Sequence, residues 1–255
     1  MTSTMWERKP ALAKLLAVLL ALCLWQAAAM TLHLPLLLVS PLQVAARLLA
    51  LVQEAAFWRT VAFSVLRIVG GFLLAFVLGC GLALLAGRFP LVETLLWPYM
   101  AAVKSVPVAS FIILALMVLR ASRLAVFISF LMVLPILYSN VLQGFKSTDP
   151  QLLEMARLYR VPWLRRLGYL YLPAIRPYLL SACSVALGMS WKAGVAAEVI
   201  GVVSGSIGEK LYEAKIYFLT EDLFAWTVVI LLCGLGFEKA FTRLLARVFD
   251  GWEGR

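Results

Sequence analysis

Long apolar runs alternate with short polar segments along the whole chain. A helix that crosses a bilayer needs ~20 mainly apolar residues, and the pattern predicts six of them, at 15–32, 60–86, 94–118, 124–144, 174–202 and 223–246. The first run follows Arg8, Lys9 and Lys14 and contains Ala27-Ala28-Ala29, a layout shared with cleavable leaders. Because several more runs follow, a retained helix is the expectation. Residues 33–58 read as an outside loop carrying an interfacial helix, since Ser40-Pro41 is a cap followed by a first-turn proline. The expected fold is therefore all-α and polytopic. Residues 1–56 would hold the first helix and the interfacial segment, and residues 57–250 the core.

Composition sharpens this picture. Of 255 residues, 64% are hydrophobic and 14% charged, against about 25% charged in soluble domains, which excludes an ordinary water-soluble enzyme. A net charge of +10 would by itself raise the question of nucleic acid. Its placement answers otherwise. Fourteen of the 23 Lys and Arg fall in segments that an inside N-terminus puts in the cytoplasm, six fall outside, and Arg67, Lys104 and Lys192 remain within spans. The bias predicts cytoplasmic N- and C-termini in a plasma-membrane protein, with lipid and not nucleic acid around it. Cys23, Cys80, Cys183 and Cys233 sit singly in apolar stretches, and His33 is the one histidine. Neither a disulfide framework nor a metal site follows from that set. The cysteines read as small buried hydrophobes, and His33, at a span end, as an interfacial residue.

Several features inside the spans carry more information. Gly71, Ala75, Gly79, Ala83 and Gly87 recur every four residues, a ridge along which a second helix can approach closely. Packing within the chain and a homodimer seam are both consistent with it. Pro98, Pro107 and Pro135 break the helical ladder, which is tolerated at membrane depth where protein or a water-filled cavity satisfies the freed carbonyls. Ionisable groups at that depth cost ~2.5–3.5 kcal/mol on insertion scales, so Arg67, Lys104, Lys192 and Glu198 each call for a partner or a function. Arg67 and Lys104 read as architectural, for instance on carbonyls freed near Pro107. Lys192 either pairs with an acid or faces a cavity and attracts an anion. At ~100° per residue, Lys192 and Glu198 lie on different faces of one helix.

The most informative stretch is 146–163. Asp149 before Pro150 is an N-cap with a first-turn proline, so a short helix should start there. Leu152, Met155, Ala156 and Tyr159 then form an apolar stripe at i, i+3, i+4 and i+7 on a helix too short to span anything. Pro162 ends that helix near Val161 and starts a second. Such a helix can dock a cytoplasmic partner or lie on lipid, and the physics alone leaves both open.

Glu154-Met155-Ala156, followed at the right distance by Leu170-Tyr171-Leu172-Pro173, resembles the EAA loop of ABC importer permeases. Ser64-Val65-Leu66-Arg67, Gly71-Phe72, Gly87-Arg88, Lys104-Ser105-Val106-Pro107, Asp149-Pro150, Trp191 and Ala197-Glu198 extend the resemblance over residues 57–250 and narrow it to the nitrate/sulfonate/taurine-type branch. The resemblance implies a type I permease, one half of a channel. It would pair with a second permease, expected to be an identical copy, above a cytoplasmic ABC ATPase dimer and below an extracytoplasmic binding protein. Glu154, Ala156 and Pro173 match the family's coupling residues, and Leu152, Met155, Tyr159 and Arg160 complete the expected ATPase contact. Lys104, Pro107, Trp191, Lys192 and Glu198 are the expected pathway residues. Gly201, Gly205 and Gly208 resemble the family's outside segment before the last span, part of an outer gate. The chain has no G-x-x-x-x-G-K-[ST] loop, so ATP and Mg are expected on the partner, with no cofactor and no catalytic residue here.

Arg160 stands where the family has glycine. With Pro162 stopping the helix, Arg160 is expected to keep negative φ. The implied function is import of a small organic solute, either a sulfonate, taurine or nitrate-like anion or a vitamin-precursor heterocycle. The alternatives are an integral membrane enzyme, an ion-coupled secondary transporter and a non-ABC membrane scaffold. The first needs clustered His, Asp, Cys or Ser, and the second tends to show repeated halves.

Overall fold

Residues 10–32 and 38–253 are described by a computed structural model; His33 lies outside them. Eleven α-helices follow one another, with no strand among the described residues: α1 (Pro10–Leu32), α2 (Pro41–Val52), α3 (Ala55–Arg88), α4 (Pro90–Ser105), α5 (Val108–Val118), α6 (Ala121–Lys146), α7 (Pro150–Leu158), α8 (Trp163–Arg166), α9 (Leu172–Ile200), α10 (Ile207–Ile216) and α11 (Thr220–Glu253). A π-helical segment, Leu167–Tyr171, joins α8 to α9.

Four stretches are long and apolar enough to cross a membrane: α3, α6, the run Trp163–Ile200 and α11. The expected third span is not one helix. It is the pair α4 and α5, bent by 106°, so that the described residues hold four such stretches, or five where the bent pair counts as one, beside the six that the sequence predicts for the whole chain. Pro107 lacks the N–H that would continue the ladder and disfavours helical geometry before it; Val106 is accordingly extended, at φ −83 and ψ 134. The apolar part of α1 that can be assessed, Leu15–Thr31, falls short of a full span.

The helices form two compact units. One comprises the described residues up to Arg59 together with Lys210–Val229. Its α2 begins as the sequence predicts: Ser40 Oγ accepts from the Gln43 N–H at 3.3 Å while Gln43 Oε1 accepts from the Ser40 N–H at 3.1 Å, a reciprocal cap. Asp222 binds the Arg47 guanidinium through two oxygens and raises its pKa further above the ordinary arginine value. Phe57 stacks on Trp226 at 5.1 Å.

The other unit, Thr60–Glu209 with Ile230–Arg255, contains the core. Its central pair is α6 against α9, with Ile128, Val133 and Leu137 facing inward from one and Cys183, Ala186 and Leu187 from the other. Ser129 Oγ donates to the Ser190 carbonyl at 3.1 Å, tying the pair where lipid offers no competing water. The ridge of small residues on α3 lies against α6. A Cβ at Gly71 would come within 2.9 Å of Ser129 Cβ, one at Gly79 within 3.2 Å of Leu137, and one at Gly87 within 2.6 Å of the Phe145 ring. Ala75 and Ala83 are fully buried between them.

These distances separate two glycines of one helix. Gly71→Ala should lower stability by about 1–3 kcal/mol through overpacking. Gly81→Ala, with nothing within 4 Å of its Cβ, should raise it by roughly 0.5–1 kcal/mol. Thermal unfolding of the two variants in detergent should give melting shifts of opposite sign.

Candidate functional site

The 146–163 segment folds into the two-part helix its caps predict. Asp149 accepts from the Gln151 N–H at 2.8 Å, Pro150 opens α7, and Pro162 precedes α8. The stripe does not face one way, however. Ala156 is buried, and Leu153 packs beside it on the core. Leu152, Met155, Leu158 and Tyr159 are exposed, the last two by 82% and 78%. Glu154 and Pro173 are exposed as well. One narrow edge of α7 therefore holds it to the molecule and leaves a broad apolar face uncovered.

Arg160 adopts φ 50, not the negative φ expected with Pro162 as helix stop. The reason lies in the hydrogen bonds that end α7. The Val161 N–H reaches back to the Ala156 carbonyl at 2.9 Å and the Arg160 N–H to the Arg157 carbonyl at 3.0 Å, the paired bonds of a Schellman cap, which require a left-handed residue at this position. Closing those carbonyls outweighs the roughly 1–2 kcal/mol that an L-residue loses there. The same cap recurs twice on non-glycine residues. Val202 (φ 44) ends α9 with Val203 N–H on the Glu198 carbonyl at 3.1 Å, and Phe218 (φ 54) ends α10 with Leu219 N–H on the Ala214 carbonyl at 2.9 Å.

Beneath the loop sits an aromatic block. Phe145 and Tyr171 stack at 4.0 Å with planes 4° apart, Trp163 lies 5.4 Å from Tyr171, and the Arg88 guanidinium covers Trp163 at 4.6 Å. Cation–π contact of this kind links the end of α3 to α8, and the stack links the end of α6 to the π-helical segment. Sequence reading missed this block, because its members are far apart along the chain.

Glu198 is fully buried and belongs to a second cluster. Its Oε2 accepts from Ser64 Oγ at 2.7 Å and from the Gly208 N–H at 3.3 Å, while Ser64 Oγ accepts from the Ile207 N–H at 2.9 Å. Ser206 Oγ takes the Glu209 N–H at 3.0 Å. The first three amides of α10 are thus satisfied by three different side chains, and a carboxylate sits where the helix dipole favours it. Arg67, one turn beyond Ser64, lies over the Phe63 ring at 3.4 Å and within electrostatic reach of Glu198. Gly208 serves close approach, since a Cβ there would collide with Glu198. The sequence signal for this helix start was present in Ser206-Ile207-Gly208-Glu209, a capping-box spacing.

The residues expected along a pathway divide into two groups. Trp191 and Glu198 are enclosed within the chain, Trp191 beside Gly234, where an added Cβ would come within 3.5 Å of the indole. Lys104, Pro107 and Lys192 are exposed. Lys104 Nζ donates to Ser139 Oγ at 2.7 Å, not to carbonyls near Pro107, and it lines a cavity of about 350 Å³ between α4 and α6. Lys192 shares its face of α9 with exposed Val185, Met189 and Ile200 and has no partner among the described residues.

A family model described as binding-protein-dependent transport system inner membrane component matches residues 71–250, which takes in most of the core, the capped loop, and Glu198 with the start of α10. The chain belongs to that family. This ABC importer permease is 30% identical over 193 residues to the putative aliphatic sulfonates transport permease of Bacillus subtilis, covering 74% of this chain and 68% of that one. It is 26% identical over 245 residues to the taurine transport system permease of Escherichia coli, covering 94% and 88%. To the bicarbonate transport system permease of Synechococcus elongatus it is 27% identical over 156 residues, covering 61% and 55%. The permease is a multi-pass inner-membrane transport subunit and not an enzyme, and its family works with an ATPase and a binding protein.

The strained cap is directly testable. Arg160→Gly should remove the left-handed penalty and stabilise α7 by roughly 0.5–1 kcal/mol, net of the entropy glycine brings to the unfolded chain. Hydrogen exchange should show slower exchange at the Val161 amide, and Arg160→Val should exchange faster than the parent.

Proposed function

We propose that this permease pairs with a second copy of itself and, through α7, with a cytoplasmic ABC ATPase dimer that holds ATP and Mg, importing an organic anion delivered by an extracytoplasmic binding protein. The observation that carries this reading is the uncovered apolar face of α7, Leu152, Met155 and Tyr159, at a segment whose Glu154, Ala156 and Pro173 match the family's coupling pattern. A helix seated on the core through Leu153 and Ala156 can pass a push from the ATPase to the spans.

The aliphatic sulfonates named for one relative support an organic anion as the solute class. Lys192, exposed and unpaired at membrane depth, is the second charge that such a solute could meet. The one-sided distribution of Lys and Arg supports cytoplasmic termini.

Two experiments test the reading. Leu152→Glu combined with Met155→Glu should leave the permease folded in membranes but cut ATPase co-purification by about tenfold or more, the loss of two apolar anchors at an interface; undiminished co-purification would sink it. A reporter that is active only in the cytoplasm, fused after Arg255, should be active, and an inactive fusion would reverse the orientation.

A further inference from the structure

The cavity between α4 and α6 has a charge pattern that the importer reading does not by itself explain. Lys104 stands in the last turn of α4 and uses one of its three N–H donors on Ser139 Oγ. Ser139 donates its own hydrogen bond to the Pro135 carbonyl, so it is an acceptor toward the lysine and leaves the charge uncompensated. The cavity's carboxylate, Glu93, is already bound by Lys146 at 2.6 Å. One positive charge with free donors therefore remains, beside the apolar surfaces of Trp97, Met100 and Leu142.

Size adds a second constraint. A volume of about 350 Å³ lies at the lower end of the ~300–1,000 Å³ of organic-ligand pockets and would hold roughly a dozen waters at ~30 Å³ each. A bare inorganic oxyanion would leave most of it to solvent, while a solute carrying its own ammonium would have to share Glu93 with Lys146.

We propose that this cavity is a solute subsite for an organic monoanion, its acid group on Lys104 and its apolar body against Trp97 and Leu142, selected over inorganic anions and over zwitterions. The proposal rests on the importer reading and narrows its solute class. Lys104 acts here as a selectivity residue, and its contact with Ser139 keeps the ammonium at the cavity wall.

The test uses the detergent-purified complex of permease and ATPase, with equilibrium dialysis of butane-1-sulfonate, its uncharged counterpart butane-1-sulfonamide, taurine and bicarbonate. The parent should bind the sulfonate at least about tenfold more tightly than the other three, the scale of a charge-assisted hydrogen bond. Lys104→Met should bring the sulfonate-to-sulfonamide ratio to about one, and Lys104→Arg should keep it. A Lys104→Met variant that weakens both ligands equally would mark the lysine as structural and overturn the proposal. So would an unchanged ratio, no sulfonate binding by the parent, or a parent that prefers bicarbonate or taurine. Failure of the ATPase to co-purify with the parent is a separate result, which removes the importer reading and not only the subsite.

Discussion

Close approach of helix backbones is the constraint on which the core depends. Lipid tails are as apolar as leucine, so burying a leucine against another helix gains little over leaving it in the bilayer, and association has to come from contact and from hydrogen bonds between helices. The core meets that demand at Gly71, Gly79 and Gly87 on α3, which bring its backbone onto α6, and at Ser129, whose hydroxyl crosses to α9. Gly194 of α9 does the same for Ile68 of α3, where a Cβ would come within 2.6 Å of Ile68 Cγ1. Three helices close on one another through positions that carry almost no side chain. The long exposed faces of α3 and α11 contribute solvation by lipid.

The parts of this fold that were legible in the sequence are those written in local chemistry. Ser40-Pro41 and Asp149-Pro150 start helices because a side-chain oxygen and a fixed φ do the same work in any context. What was not legible depends on partners distant along the chain. Pro107 signalled a disruption, yet a bend of 106° is set by where α5 packs against α6 and α9. The left-handed φ of Arg160 was not legible because the proline looked sufficient to end the helix near Val161, while the structure ends it at Leu158, with backbone carbonyls that accept from the Arg160 and Val161 N–H groups. Glu198 and Lys104 were legible as charges in need of partners. Ser64 was visible only as part of a motif, and Ser139 not at all, because a serine inside an apolar helix gives no sign of which neighbour it will serve.

Two of the four membrane-depth charges, Glu198 and Lys104, meet different fates, and burial explains the difference. Glu198 is removed from solvent and held through Oε2 by the Ser64 hydroxyl and the Gly208 N–H that helps open α10, groups fixed in the fold around it. Lys104 keeps an open side and a single hydroxyl partner. A charge held by fixed dipoles fixes the architecture around it, whereas a charge with spare donors beside a cavity is available to a ligand.

The π-helical segment Leu167–Tyr171 has a consequence for the phase of everything that follows it. Each residue in an α-helix advances the chain by about 100°, and a π turn accommodates one more residue than an α turn without that advance. The azimuth of α9 relative to α8 is therefore set within these five residues. Losing one of them would return the segment to a plain α turn with α9 in its present phase, whereas a residue lost within the first turns of α9 would rotate every later position by about 100°. The segment beside the loop thus works as a register buffer ahead of a 29-residue helix, able to give back one residue without moving Lys192 from the exposed side, Glu198 from the start of α10 or Ser190 from Ser129.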